Sequence, residues 1–136
     1  MNTLAPALTS LRLSLHVLAA TVWVGGQLTL AGLLPELRAA GGDAAARVAR
    51  AFARLSWPAF IVLVLTGIWN LSAVHASHAT SAWRTVLFVK IAVVVLAAVA
   101  AGLHQRSTTK QGLAAWGSIA GVASVAAVVF GVLLAG

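Results

Sequence analysis

His16 lies in the apolar run Leu13-Ser14-Leu15-His16-Val17-Leu18-Ala19-Ala20-Thr21-Val22-Trp23-Val24-Gly25-Gly26. An ionisable ring at membrane depth is costly to place, and such a residue is by default a functional-site candidate. A neutral imidazole there can ligate copper or haem iron, carry a proton, or hydrogen-bond between helices without metal. His16, Ala20, Trp23 and Gln27 follow i, i+4, i+7, i+11, so helical spacing puts them on one stripe that should face protein. A second pair of imidazoles, His75 and His78, stands i, i+3 in a Ser/Thr-rich loop. They are candidates to complete a copper site, or two solvated loop histidines. Thr66 and Asn70 are spaced i, i+4 ahead of that loop.

Lys90 is embedded in Val86-Leu87-Phe88-Val89-Lys90-Ile91-Ala92-Val93. It can counter an anionic ligand such as a haem propionate, serve as a charge in a transport path, or snorkel to the headgroups. His104, fourteen residues further on and followed by Gln105 and Arg106, reads as an interfacial histidine. Glu36 and Asp43 are the only acidic residues, so no carboxylate pair inside the spans is available for general acid–base work. No nucleophile elbow, phosphate loop or HExxH sequence occurs. The absence of cysteine excludes a disulfide framework and thiolate metal sites.

These residues need elements that cross a bilayer. Of the 136 residues, 61% are hydrophobic and 8% charged, with a mean hydropathy of +1.00, far from soluble averages. The net charge of +7 is dispersed in short loops without interleaved stacking aromatics, which argues for topology signals and against nucleic acid. Four segments approach the roughly 20 apolar residues of a spanning helix: 11–34, 57–74, 84–104 and 113–135. The first eleven residues lack Lys and Arg, so the first run reads as a retained span and not a cleaved signal.

Pro35 is expected to close the first span, and Pro58 to sit in the first turn of the second. Gly41-Gly42-Asp43 breaks the chain between them, with Asp43 as a candidate N-cap. It would cap a short interfacial helix over 44–55, whose Arg47, Arg50 and Arg54 share a face. The alternative is an extension of the second span beyond the membrane. Trp57, Trp83 and Trp116 fall at span ends, where the ring suits the headgroup level. Gly117-Ser118-Ile119-Ala120-Gly121 is a small-residue packing face.

The expected fold is all-α: one integral-membrane domain, a four-helix antiparallel up-down bundle. Arg38, Arg47, Arg50 and Arg54 follow the first span, and Arg106 and Lys110 the third. The opposite face has Arg12 and Arg84, so the positive-inside rule puts both termini outside the cytoplasm. In such a bundle His16, Asn70 and Lys90 each lie roughly 6–9 Å outward of mid-membrane.

His16-x6-Trp23-x-Gly25-Gly26, Arg50-Ala51-Phe52-Ala53-Arg54-Leu55 leading to Leu65-Thr66-Gly67-Ile68-Trp69-Asn70, and Lys90 opening the third span together resemble the membrane domain of the copper-resistance protein D (CopD) family. The resemblance runs from about His16 to the end of the fourth span. It implies a bacterial inner-membrane protein handling copper by transport or tolerance. His16 would be the buried ligand and His75 and His78 external entry ligands. Trp23, Gln27, Thr66, Asn70 and Lys90 would be pathway or supporting groups. The chain departs from a Met- or Cys-rich copper protein, since Met1 is its only methionine.

A looser resemblance is to HemJ-type protoporphyrinogen oxidases, through His16, Trp23, Lys90 and His104. It implies a haem-b protein, an oxidoreductase or electron carrier, with His16, His104 and Lys90 at the cofactor. A third expectation is a small structural subunit packing through its Gly/Ala faces. The implied partners are the lipid bilayer and a homo-oligomer or larger membrane complex.

Overall fold

A computed structural model of the chain describes residues 4–74 and 79–136. The described residues form four long helices and no strand: α1 (Ala7–Ala39), α2 (Ala44–Ser72), α3 (Ser81–Arg106) and α4 (Lys110–Ala135). All four are long and apolar enough to cross a membrane. Even the shortest, at 26 residues, spans about 39 Å, more than the hydrocarbon core. Only 11–17% of their most apolar stretches is buried within the chain. Large side chains such as Leu18, Phe88, Val122 and Val132 therefore remain exposed, as lipid contact requires.

α1 continues through Pro35 to Ala39, which corrects the expectation that Pro35 ends the first span. Proline removes one N–H from the ladder, at the carbonyl of Ala31. A helix in an apolar medium has no water to take over the backbone groups that breaking would expose. The stop comes at Gly41 and Gly42, with φ of 75° and 58°, where the Gly41 N–H closes onto the Arg38 carbonyl at 3.1 Å. This left-handed exit suits glycine.

α2 is continuous over 29 residues, so the expected separate helix over 44–55 is instead the extension of the second span. Pro58 is correspondingly interior to the helix and not in its first turn. The segment 44–55 is rich in helix-forming Ala, Arg and Leu and contains no breaker. Asp43 precedes the first turn but makes no side-chain cap. Its carboxylate pairs with Arg47 at 2.7 Å and Arg50 at 4.0 Å. Thr80 and Thr109 do cap: their hydroxyls accept from the Trp83 and Gly112 N–H groups at 3.1 and 3.0 Å, starting α3 and α4.

The chain divides into two compact units, Met1–His75 and Ala76–Gly136. Each is a helical hairpin. In the first, the contacts run Gly26 to Phe52, Trp23 to Trp57 and Phe60, and His16 to Thr66, so the two helices run in opposite directions. In the second they run His104 to Leu113 and Gly117, Lys90 to Gly131, and Trp83 to Leu134, again antiparallel. The second hairpin buries Ala97 and Ala100 of α3 and Ala120, Ala123 and Ser124 of α4, small residues that let two backbones approach.

Candidate functional site

α1 has one irregularity, and it begins five residues after His16. Residues Thr21–Gly25 form a π turn between two α-helical segments. Wide turns leave carbonyls poorly matched to the α ladder and recur at functional sites. Three side chains supply donors here. Thr21 Oγ1 donates to the Val17 carbonyl at 2.8 Å, Gln27 Nε2 to the Trp23 carbonyl at 2.9 Å, and Thr29 Oγ1 to the Gly25 carbonyl at 2.8 Å. Gln27, expected in a pathway, thus hydrogen-bonds its own helix.

The π turn presents Trp23, which is 3% exposed. Its ring lies 5.4 Å from that of Trp57 and 4.5 Å from that of Phe60, and Trp57 meets Phe60 edge-on at 5.9 Å. Such tilted and edge-to-face pairs add attraction beyond area burial. Trp57 therefore sits in an aromatic cluster inside the hairpin. One turn further along α1, a Cβ on Gly26 would run into the Phe52 ring.

On the other side of the π turn, half-buried His16 meets α2. Its Nδ1 is 2.9 Å from Thr66 Oγ1. The Thr66 hydroxyl donates to the Val62 carbonyl at 2.7 Å, with Leu63 O at 3.1 Å. A hydroxyl has one proton, so Oγ1 accepts from His16 and Nδ1 carries the hydrogen. The neutral ring then holds its lone pair on Nε2, the tautomer fixed by a hydrogen bond of the kind that orients metal-ligating histidines. Thr66 is 4% exposed, and a Cβ on the next residue, Gly67, would stand 3.5 Å from His16 Cε1. The Thr66-Gly67 pair thus supplies both the acceptor and the flat surface for the ring. No protein-family model, curated protein or solved structure matches the chain.

Thr66 and His16 meet across the hairpin, and Asn70, expected at the depth of His16, lies one turn further along α2. Lys90 and His104 belong to the second unit, about 21 Å apart along α3 at 1.5 Å per residue, and each lies against a glycine of α4. A Cβ on Gly131 would stand 3.1 Å from Lys90 Nζ, and one on Gly117 3.0 Å from His104 Nδ1. His104 Nδ1 lies 2.8 Å from the Leu113 carbonyl. A carbonyl only accepts, so this ring also carries its proton on Nδ1. Trp83 Nε1 donates to the Leu134 carbonyl at 3.3 Å. His75 and His78, the expected entry ligands, lie outside the described residues. Among the described residues no three His, Cys, Asp or Glu side chains cluster as a metal site would require.

Sequence spacing gave Arg12 a topological role only. In the structure its Nε is buried without a hydrogen-bond partner, as is Oδ1 of Asn70. The signal was present in the sequence: Arg12 is four residues before His16, on the same stripe.

Proposed function

We propose that this chain is a CopD-like copper-handling protein of the bacterial inner membrane, with copper as its cargo and His16 as the buried ligand. The four spans would form an antiparallel up-down bundle with both termini external, as the loop charges argue. The observation that carries the reading is the His16 Nδ1–H···Oγ1 Thr66 hydrogen bond at 2.9 Å. It joins the two sequence elements behind the CopD resemblance, His16…Trp23-x-Gly25-Gly26 and Thr66-Gly67-x-x-Asn70, in one contact. The reading takes Nε2 as the ligating nitrogen, since imidazole nitrogen suits copper. A single imidazole does not close a site. His75 and His78 would supply further nitrogens at the external mouth, with Asn70 and Lys90 along the path.

One observation favours a second reading, a haem-b protein. His104 is held in the same Nδ1-protonated form as His16, through the Leu113 carbonyl, and ligating histidines are commonly oriented so.

Metal analysis and a visible spectrum of the detergent-purified protein test both. The copper reading requires bound copper in the wild type and its loss in His16→Ala. A Soret band that disappears in the same variant overturns copper in favour of haem. A colourless protein in which His16→Ala changes no metal content removes both readings and leaves a structural subunit.

A further inference from the structure

Two buried polar atoms among the described residues lack a hydrogen-bond partner, and both belong to the first hairpin: Arg12 Nε and Asn70 Oδ1. Buried polar groups are ordinarily satisfied, and one left over calls for a partner from elsewhere. The two lie on the same seam. His16 faces Thr66; four residues back along α1 is Arg12, and four residues forward along α2 is Asn70. In two antiparallel helices those steps advance one turn in the same direction. The atoms are chemically opposite, a permanently charged N–H donor and an amide oxygen acceptor, yet they do not bond each other. A group that fits them both accepts and donates.

Position narrows the chemistry. α1 begins at Ala7 and α2 ends at Ser72, so Arg12 and Asn70 sit at the open end of the hairpin, within two turns of where the span stops. Asn70 thus stands one turn outward of His16 and not at its depth, on the side nearer the membrane surface where lipid headgroups lie. A guanidinium fork matches phosphate oxygens in geometry as well as charge.

We propose that Arg12 and Asn70 form a binding site for a phosphate group that also carries a hydrogen-bond donor. The phosphate oxygens accept from the Arg12 guanidinium, and a neighbouring ammonium or hydroxyl donates to Asn70 Oδ1. Two sources present this chemistry: a phospholipid with an ethanolamine or glycerol headgroup, and free hydrogen phosphate, whose P–OH is the donor. The site shares Asn70 with the proposed copper path but requires nothing bound at His16.

The full chain, purified in detergent, is examined by native mass spectrometry with phosphatidylethanolamine, phosphatidylglycerol and phosphatidylcholine, and by calorimetry with inorganic phosphate. A lipid site retains the first two lipids at least tenfold better than phosphatidylcholine, whose headgroup nitrogen is fully methylated. Arg12→Gln lowers that retention at least tenfold, and Asn70→Leu abolishes the preference while keeping binding to phosphate. Binding heat from inorganic phosphate that Arg12→Gln removes, without lipid retention, supports the site with the free anion as its source. Asn70→Asp guards against misfolding of the other variants: its carboxylate pairs with Arg12 inside the hairpin, so helicity and elution are kept while ligand is lost. Equal retention of all three lipids in wild type and Asn70→Asp, with no phosphate heat, overturns the proposal and leaves a water bridging the two atoms.

Discussion

The two hairpins are both pairs of long apolar helices, and they close in opposite ways. The second, α3 with α4, closes on small residues: Ala97 and Ala100 face a side of α4 carrying Gly117, Ala120, Ser124 and Gly131. Its larger seam residues, Trp83, Lys90 and His104, stand seven and then fourteen positions apart, and each ends against a glycine or a carbonyl of α4. This is close backbone packing, as lipid-embedded helices use it, because hydrophobic burial supplies little between helices already in an apolar solvent. The first hairpin, α1 with α2, instead closes on a π turn, a cluster of three aromatic rings, a histidine–threonine hydrogen bond and an arginine–asparagine pair that is left unbonded. None of these is needed to join two apolar helices, and several are expensive in lipid. The difference separates scaffold from site: the chemistry-bearing groups that meet one another across helices lie in the first hairpin.

Substitutions that overfill or unpair each seam can break this contrast. The largest loss is expected for Ala100→Leu, at a position with 0% exposure. Forcing three more carbons between the backbones costs about 3 kcal/mol, read as a lowered unfolding midpoint in detergent. Thr66→Val, nearly isosteric, removes the acceptor for His16. It is expected to cost about 1 kcal/mol of stability, in the range of interhelical hydrogen bonds in membranes; under the copper reading, copper affinity also falls roughly 10–100-fold. A Thr66→Val loss larger than that of Ala100→Leu would invert the assignment of scaffold and site. Gly117→Ala brings a methyl to 3.0 Å from the His104 ring. It is expected to cost roughly 0.5–1 kcal/mol, one neutral hydrogen bond, with loss of the slowly exchanging His104 Nδ1 proton in NMR spectra. Bound metal should be unchanged under the copper reading, and a fall would shift weight to haem. The smallest effect is expected for Arg47→Ala: its bridge to Asp43 is exposed on both sides and contributes below about 0.5 kcal/mol, so equilibrium unfolding should barely move.

The spans were legible because their signal is length and apolarity, which no tertiary contact can reverse in a chain this hydrophobic. The His16–Thr66 meeting was legible only roughly: helix counting gave His16 and Asn70 a common depth, one turn away from the contact that forms. The π turn was not, because Thr21-Val22-Trp23-Val24-Gly25 is locally an ordinary apolar helix. What holds it open is the Gln27 and Thr29 side chains bonding back to carbonyls, together with Trp23 seated on Trp57 and Phe60. Pro35 and Pro58 were read as boundaries from their local effect, which the continuity of helices in an apolar medium overrides. Arg12 was read by its charge alone, and its burial depended on a facing helix.

The sequence by itself determined that four helices would be long and apolar enough to cross a membrane, and that an ionisable ring, His16, would lie within the first of them. Those properties belong to single segments and follow from transfer of side chains between water and lipid. Only the tertiary structure decided that Thr66 accepts from His16 and so fixes its tautomer, that Trp23 closes an aromatic cluster, and that Arg12 and Asn70 face the same end with unspent hydrogen-bonding capacity. Such facts depend on the register of one helix against another, which is set by the sum of many weak contacts and carried by no single stretch of chain.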